Sequence, residues 1–486
     1  MNSYTITFLP GGERVRVEAG TTLLQAMIRA GLHPNAPCGG KGICGKCLVT
    51  LSDGSRVPAC QTPVSSDLTV TVPQGDRARI LTRSLRAETR PDGDNAYVLA
   101  VDVGTTTLVA YLLDGVTGET LAQASCLNPQ GQYGADVISR IQYVMQTGPE
   151  SMARCVRDAL AGLTRQAAGN AGIDPQAIGA AALVGNTAMH HLALGIDPTP
   201  LTTPPYMPRV RQAMELPGGE LLPIGGTVRV LPNIAGFVGA DTVGCMTATR
   251  FDRLEELSLL IDIGTNGEMV LGNAQGRTAC STAAGPAFEG AKISCGMRGA
   301  DGAVDHVYLR DGRIEYHVIG GGQAKGLCGS GLLDLVAVLL DLGYISESGR
   351  LKDKAFQLCP AVTLTQKDVR EVQLAKSAIR TGIELLAQTR GVSVSRIEAV
   401  YLAGAFGNYL TPASVCRIGM IPPVLEDRIR PIGNAAGEGA KLCALSRAEF
   451  AYSQELAQHT QFLELASLPR FQDMFVDCLN FEEEEP

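Results

Sequence analysis

The spacing of apolar and polar residues predicts two strands and a helix at the start of the chain. TITFL alternates like a strand, Gly11-Gly12 supplies a tight turn, and RVRVEA alternates again. The next segment, TTLLQAMIRAGL, has the spacing of a short helix, with Thr21 or Thr22 as N-cap and Gly31 as its stop. A strand hairpin followed by a helix is therefore expected here.

Two longer apolar segments of similar pattern follow, about 160 residues apart. YVLAVDVGTTTLVAYLLD begins at Tyr97, and SLLIDIGTNGEMVLGN begins at Ser258. Each contains an apolar strand, an Asp-x-Gly-Thr turn and a second apolar strand. A repeat at this distance predicts two related lobes of domain size, at about 97–255 and 256–486.

The apolar pattern is interrupted between these regions. Residues 73–96 carry five arginines with scattered Pro, Gly and Asp, a composition typical of a solvated linker. The alternative is that the arginines dock an acidic redox partner. The predicted organisation is an N-terminal domain at 1–72, a linker at 73–96 and a two-lobed domain at 97–486.

Composition narrows the class of protein. The chain has 486 residues, 45% of them apolar, and a net charge of -8, so we expect no nucleic-acid or acidic membrane partner. No apolar run approaches the ~18 residues of a membrane span, and the first residues lack the pattern of a secretory signal. A cytoplasmic protein is expected, in which 14 cysteines suggest metal binding before disulfides.

The cysteines are unevenly distributed, because four of them fall within one short segment with the spacing C-x5-C-x2-C-x12-C. Four thiolates at this spacing can hold an iron–sulfur cluster or a structural zinc ion. Glycines between the first three cysteines favour the cluster, since a loop must wrap a bulky core and point N–H groups at its sulfurs. Zinc, or four unrelated buried cysteines, is the alternative. The predicted ligands are Cys38, Cys44, Cys47 and Cys60.

The two Asp-x-Gly-Thr turns predict a magnesium and phosphate site. Asp102 and Asp262 end buried strands, where a lone carboxylate is costly unless it meets a cation such as hydrated Mg²⁺. Glu268 is a candidate water-orienting carboxylate, with a salt bridge at the strand end as the alternative, and Asp241 is a candidate for facing the cleft. Backbone N–H groups and hydroxyls at the turns would bind phosphate. The predicted phosphate contacts are Gly104, Thr105, Thr106, Gly264, Thr265 and Asn266.

Further small-residue segments predict the rest of a nucleotide site. The turn Gly404-Ala405-Phe406-Gly407 permits a flat base or ribose to lie against bare backbone. Gly329 and Ser330 open an apolar helix, where N–H groups could meet phosphate or ribose, although a plain cap explains the serine equally well. Gly285 and Pro286 are candidates for the nucleotide wall, with Glu289 as a ribose or magnesium contact. The adjacent His190 and His191 are expected in the core rather than at a corrinoid cobalt. No Walker sequence occurs.

These motifs resemble two known families. The order of strands, helix and cysteine loop resembles plant-type and vertebrate-type ferredoxins. DVGTTT, DIGTNGE and LAGAFG resemble, in order, the phosphate-1, phosphate-2 and adenosine motifs of the acetate and sugar kinase, heat-shock chaperone and actin superfamily. Segments 185–195 and 433–440 resemble the connecting helices of its interdomain hinge. The implied fold class is α/β plus α+β, with a β-grasp 2Fe-2S domain followed by a two-lobed actin-like, ribonuclease H-like ATPase.

The fusion of these parts resembles reductive activators of corrinoid proteins, as do LNPQGQYGADVISRI (127–141) and TAAGPAFEGAKISCGMRGADGAV (282–304). That resemblance implies an ATP-dependent activase that passes single electrons to the Co(II) corrinoid of a methyltransferase system. It also implies a 2Fe-2S cluster, ATP, Mg²⁺, a low-potential electron donor and a homodimer. Well-known activators place an additional middle domain after the ferredoxin domain, whereas here only the linker precedes DVGTTT.

Two other functions fit the same motifs. Activators of 2-hydroxyacyl-CoA dehydratases and benzoyl-CoA reductases share the ATPase fold, but they hold a 4Fe-4S cluster between two subunits. The nearest candidate ligands are Cys280, Cys295 and Cys328, none of which lies in a glycine-rich C-x2-C context. The other alternative is a nucleotide-binding redox sensor without turnover.

Overall fold

A computed structural model of the chain describes residues 3–30, 32, 36, 40, 42, 47–73, 89–290, 292–407 and 409–481. Several segments with sequence-based predictions lie outside these residues. They are the helix stop Gly31, the cluster cysteines Cys38 and Cys44, and most of the linker (74–88). Among the helices that the structure describes, none is both long and apolar enough to cross a membrane.

The described N-terminal residues form one sheet packed against one helix. The strands lie in the order β2-β1-β5-β3-β4, with β1 antiparallel to β2 and parallel to β5. Thr22 caps α1 in a capping box with Gln25, which confirms the predicted hairpin and helix. The elements are β1 (Ser3–Leu9), β2 (Glu13–Glu18), α1 (Leu23–Arg29), β3 (Leu48–Leu51), β4 (Arg56–Pro58) and β5 (Leu68–Thr71).

The first lobe is a mixed sheet with helices on both faces, in the strand order β10-β11-β9-β6-β7-β8. The apolar runs of its central strands are buried on both sides, as expected for a sheet covered by helices. Its elements are β6 (Tyr97–Val103), β7 (Thr107–Asp114), β8 (Thr120–Leu127), α2 (Val137–Thr147), α3 (Glu150–Ala171), β9 (Ile178–Gly185), α4 (Thr187–Leu194), β10 (Met214–Pro217), β11 (Thr227–Val230) and α5 (Ala240–Thr249).

The second lobe has a main sheet in the order β21-β20-β12-β13-β14-β22, with smaller sheets β16-β15-β17 and β18-β19 beside it. Its elements are β12 (Ser258–Ile263), β13 (Gly267–Asn273), β14 (Gly276–Thr282), β15 (Ala303–Arg310), β16 (Arg313–Val318), β17 (Gly326–Leu327), α6 (Gly329–Asp341), β18 (Ala355–Cys359), β19 (Val362–Thr365), α7 (Gln366–Thr389), β20 (Ala399–Ala403), α8 (Gly404–Gly407), α9 (Pro412–Arg417), β21 (Ile429–Gly433), α10 (Ala435–Leu445), α11 (Arg447–Gln458), β22 (Thr460–Phe462) and α12 (Phe471–Asp477).

The two lobes share one plan. In the first, β6, β7 and β8 run antiparallel and β9 pairs parallel with β6. In the second, β12, β13 and β14 run antiparallel and β20 pairs parallel with β12. The repeat read from the two Asp-x-Gly-Thr segments is thus a structural repeat, and it places both turns at corresponding sheet edges.

Helices α5 and α10 lie in the layer between the two main sheets. Apolar residues of both sheets pack on them, including Val98 from β6 and Leu260 from β12. The helices approach so closely that a Cβ on Gly439 would lie 2.1 Å from the carbonyl oxygen of Gly244. Only glycine permits this backbone contact, so small residues are required where the two helices cross.

Candidate nucleotide and iron–sulfur sites

The two predicted phosphate turns are tight hairpins at the ends of β6 and β12. In the first, the N–H of Gly104 donates to the carbonyl of Thr107 at 3.0 Å. In the second, the N–H of Gly264 donates to the carbonyl of Asn266 at 2.9 Å. Asp102 and Asp262 occupy the penultimate position of their strands, so both carboxylates stand beside the hairpins.

Four carboxylates converge between the lobes. Asp102, Asp241 and Asp262 are half-buried, and Glu268 is 6% exposed. Burial raises the pKa of Asp102 and of Asp262 to about 6 and that of Asp241 to about 7, and the neighbouring negative charges add to this effect for Asp262 and Asp241. Burial, then Asp241 and Asp262, raises the pKa of Glu268 well above its ordinary value. The carboxylates therefore repel one another.

This concentration of negative charge fits a magnesium ion. Within the described ranges, no group of three or more His, Cys, Asp and Glu side chains is arranged to hold a metal ion directly. Mg²⁺ usually keeps several waters and contacts only one or two carboxylates. Asp102 and Asp262 suit that outer-sphere arrangement, and a divalent charge would offset their mutual repulsion.

Each lobe sends a polar side chain to the hairpin aspartate of the other lobe. Asn434, the N-cap of α10, donates to Oδ2 of Asp102 at 2.9 Å and to the hydroxyl of Tyr111 at 3.1 Å. Asp241, in the first turn of α5, lies near Asp262, whose negative charge helps to raise the pKa of Asp241. The helices that cross between the lobes thus also set the surroundings of both aspartates.

The threonine hydroxyls of the hairpins have different partners. Thr105 accepts from the side chain of Asn186 at 2.8 Å, which ties the first hairpin to the N-cap of α4. The hydroxyls of Thr106 and Thr265 both donate to the carboxylate of Glu289. The sequence predicted a ribose or magnesium contact for this glutamate, whereas the structure places it on both hairpins.

The glycines of the two hairpins, Gly104 and Gly264, have different surroundings. A Cβ on Gly104 would lie 2.7 Å from the carbonyl of Thr107, so the hairpin itself needs glycine there. A Cβ on Gly264 would meet only the carbonyl of Asn266 at 3.7 Å, so the protein leaves that side of the second hairpin open. An open glycine face beside threonine hydroxyls suits the close approach of a phosphate group.

The predicted adenosine turn lies next to the carboxylates. The short helix α8 (Gly404–Gly407) follows β20, and a Cβ on Gly404 would lie 2.6 Å from Oδ1 of Asp262. Phe406 stacks on Phe288 with ring centroids 5.4 Å apart, and Gly329 packs against both. The structure therefore brings α8 and the start of α6 together.

The structure changes one of the two predictions made for Ser330, which lies in the first turn of α6. Cys328, not Ser330, is the N-cap of α6, so the cap prediction is wrong. The Ser330 hydroxyl donates to the carbonyl of Asp305 at 2.8 Å. Asn266 lies at the second hairpin, where its side chain hydrogen-bonds Glu268.

Two of the cluster cysteines lie within the described residues. Cys47 is buried, and its Sγ accepts a hydrogen bond from the backbone N–H of Cys60 at 3.5 Å. Such N–H donation to a ligand sulfur is characteristic of iron–sulfur sites, where it tunes the potential. The donor set of two neighbouring thiols with a backbone N–H aimed at sulfur fits the predicted 2Fe-2S cluster.

The remaining cysteine and histidine candidates lie in packed cores. Cys280 and Cys328 are buried, and the thiol of Cys295 donates to a backbone carbonyl at 3.4 Å. Burial raises the pKa of all three thiols, which disfavours thiolate ligands. His190 and His191 on α4 are fully buried, as expected, but among the described residues only His191 has hydrogen-bond partners for its ring nitrogens.

Sequence reasoning missed Arg140 on α2. This arginine is 1% exposed and donates to the carbonyls of Thr105, at 2.6 Å, and Gly134, at 2.9 Å. Burial lowers its pKa to about 10, and the charge of Glu289 opposes that effect. A helical residue in LNPQGQYGADVISRI carries no local sign of this contact, because its partner lies 35 residues away.

Comparison with protein families supports the division seen in the structure. A model described as a 2Fe-2S iron–sulfur cluster binding domain matches residues 3–75. A model described as the RACo middle region matches 97–254, and one described as the C-terminal domain of RACo, the ASKHA domain, matches 256–486. The part of this chain that matches the RACo middle region is thus the first lobe.

Relatives and solved structures agree with these matches. The chain is 38% identical over 414 residues to the corrinoid activation enzyme RamQ of Eubacterium limosum, covering 78% of this chain and 69% of the relative. It is 27% identical over 429 residues to the [Co(II) methylated amine-specific corrinoid protein] reductase of Methanosarcina barkeri, covering 79% and 77%. A solved reductive activator for corrinoid,iron-sulfur protein matches with 28% identity, a TM-score of 0.73 and 98% coverage of both chains. This chain therefore belongs to the family of RACo-type corrinoid activation enzymes, in which a 2Fe-2S domain precedes an ASKHA domain.

Proposed function

We propose that this protein is an ATP-dependent reductive activase that returns the Co(II) corrinoid of a methyltransferase system to Co(I). The observation that carries the proposal is the joining, in one chain, of a 2Fe-2S domain to two lobes whose carboxylates and phosphate hairpins face one cleft. An electron carrier alone needs no such cleft, and an ATPase alone needs no electron carrier.

Electron balance explains why the two parts belong together. A 2Fe-2S cluster held by the N-terminal cysteines would supply the one electron that converts Co(II) to Co(I), and a low-potential donor would have to replace that electron. A plant-type cluster has a potential near about -400 mV, and Co(I) corrinoids are stronger reductants than that. Transfer is therefore uphill unless nucleotide binding or hydrolysis changes the state of the complex, which it does only by binding one state more tightly.

The residues of the cleft have separate proposed roles. Asp102 and Asp262 hold a hydrated Mg²⁺, which when bound neutralises phosphate charge, and Glu268 orients water from behind them. Hairpin N–H groups and hydroxyls bind the phosphates, while Gly404, Ala405 and Gly407 border the adenosine, with Gly329 and Ser330 nearby. In the N-terminal domain, Cys38, Cys44, Cys47 and Cys60 ligate the cluster.

The proposed function also includes an oligomeric state, a domain organisation and a protein partner. We propose a cytoplasmic homodimer with domains at 1–72 and 97–486, joined by the linker 73–96. Its corrinoid partner exposes the cobalt to the reduced cluster while the lobes close on ATP. Helices α5 and α10, which lie between the two main sheets, are the proposed hinge of this closure.

The proposal is tested by following Co(II) reduction in a purified corrinoid protein by stopped-flow spectroscopy. With dithionite-reduced activase and Mg-ATP, we expect the Co(I) absorbance to appear, and omission of ATP should slow it at least tenfold. Cys47→Ser should lose the rhombic 2Fe-2S EPR signal and corrinoid reduction but keep ATP hydrolysis. Cys416→Ser, at a buried cysteine of the second lobe, is the matched control.

Equal Co(I) formation by Cys47→Ser and the control would contradict the proposed electron path. Replacing ATP with a non-hydrolysable analogue separates two versions of the mechanism. Repeated turnover with the analogue shows that binding suffices, whereas a single turnover shows that hydrolysis releases the partner.

A further inference from the structure

Glu289 joins the two lobes at the place where phosphate is expected. It lies between β14 and β15, and its carboxylate accepts one hydrogen bond from each phosphate hairpin. Oε2 accepts from the hydroxyl of Thr106, and Oε1 accepts from the hydroxyl of Thr265 at 2.5 Å. One carboxylate thus engages one threonine hydroxyl of each phosphate hairpin.

A hydroxyl has a single proton to donate. Thr106 and Thr265 therefore cannot donate to Glu289 and to a phosphate oxygen at the same time. A nucleotide that uses these hydroxyls must displace the carboxylate, and Glu289 competes with phosphate for the same donors.

Charge strengthens this competition. Glu289 favours the cationic form of Arg140, a buried guanidinium whose described hydrogen bonds go only to uncharged acceptors, namely the Thr105 and Gly134 carbonyls, Gln130 and Met189. The carboxylate thus takes the electrostatic position of an anionic ligand. A phosphate that enters while Glu289 remains meets a like charge at close range, which opposes binding.

We propose that Glu289 determines nucleotide specificity by favouring a phosphate chain long enough to reach both hairpins. A triphosphate that engages both hydroxyls replaces both hydrogen bonds and releases the carboxylate. A diphosphate that engages only one hairpin leaves Glu289 hydrogen-bonded to the other hairpin. The negative charge of the carboxylate then lies beside the negative charge of the diphosphate. The inference rests on the proposed nucleotide site and assigns to Glu289 a preference for ATP over ADP.

Isothermal titration calorimetry with Mg²⁺ tests this role, using the full-length protein and both ADP and a non-hydrolysable ATP analogue. Glu289→Gln removes the charge and keeps the shape, and Glu289→Ala removes the acceptor altogether. We expect both variants to bind ADP about tenfold more tightly than the wild type. Affinity for the analogue should change less, so the preference for the triphosphate shrinks.

Glu256→Gln is the control. Glu256 accepts from Arg430 at 2.8 Å and Tyr401 at 3.1 Å, and it precedes β12 at the end opposite the hairpin. This variant should keep the wild-type ratio of the two dissociation constants. Circular dichroism and the cluster EPR signal show whether each variant is folded.

Three results would overturn the inference. The first is an equal change in the affinities for ADP and for the ATP analogue, and the second is no change in either affinity. The third is loss of binding of both nucleotides by folded Glu289→Gln and Glu289→Ala. Unchanged affinities with lost hydrolysis would instead make Glu289 a water-orienting residue. Wild-type protein that binds neither nucleotide would contradict the proposed ATPase function itself, and failed corrinoid reduction with normal nucleotide binding would contradict only the electron transfer.

Discussion

At the scale of single residues, the cleft combines carboxylates that are unfavourable by themselves. Asp102, Asp241, Asp262 and Glu268 are drawn from strands and a helix of both lobes, and burial raises the pKa of each. Carboxylates with raised pKa values in a cleft mark a candidate functional site, and the proposed magnesium ion would stabilise their charged forms.

Asp262→Asn should separate function from stability. Removing one negative charge relieves repulsion with Asp102, so the thermal midpoint of the nucleotide-free protein should stay the same or rise. Loss of a magnesium contact should lower ATP hydrolysis by at least about a hundredfold. Calorimetry and a phosphate-release assay measure the two effects, and a large drop in the thermal midpoint with unchanged hydrolysis would refute the assignment.

His306 should give a pH-dependent contribution to stability. Its Nδ1 lies 3.1 Å from Oδ2 of Asp334, and this hydrogen bond raises the pKa of the histidine. Because the folded-state pKa is higher, the contribution is complete below about pH 6.5 and is lost as pH rises through the folded value. His306→Gln should thus lower the unfolding free energy at pH 6 and lose that effect at pH 8.

The size of the histidine effect is limited by solvent. The His306 side chain is 40% exposed, so the difference at pH 6 should stay below about 1 kcal/mol. Urea unfolding at several pH values measures it. An effect that grows towards pH 8 would show that the histidine is not stabilised in its charged form.

At the scale of elements, the contact between α5 and α10 connects folding with function. Each helix packs on the interlobe core, and their N-terminal turns supply Asp241 and Asn434 to the cleft. Both are short helices rich in small residues, which is why their backbones can meet at Gly244 and Gly439. A change in the crossing should therefore affect the nucleotide site as well as stability.

Gly439→Ala should reveal this coupling. The new Cβ would overlap the Gly244 carbonyl, so the helices must separate, at a cost of about 1–3 kcal/mol in unfolding free energy. Gly162→Ala on α3 is the matched control, because that glycine is exposed with nothing within 4 Å; it should stabilise by about 0.5–1 kcal/mol. Equal responses of the two variants in urea unfolding would show that the crossing is not tight.

At the scale of the whole molecule, the chain is a redox domain followed by a repeated lobe. The two main sheets share one strand plan, and the cleft between them is built from equivalent edges. Neither lobe alone forms the site, because Asn434 of the second lobe bonds Asp102 of the first.

Local sequence patterns were sufficient to predict several parts of the fold. The N-terminal strands and helix, the hairpins at Asp102 and Asp262, and the repeat could be predicted because each depends on residues close together in the chain. Strand alternation, caps and turn glycines act over a few positions. The sequence by itself determined the N-terminal hairpin and helix, the two Asp-x-Gly-Thr hairpins and the likeness of the lobes.

Contacts between distant residues were decided only by the tertiary structure. Glu289 meets Thr106 across 183 positions, and Asn434 meets Asp102 across 332. Their partners are chosen by how the sheets pack and where the helices cross, which no local spacing records. The hydrogen-bonding capacity of a side chain is a property of its type, but its partner is a property of the fold.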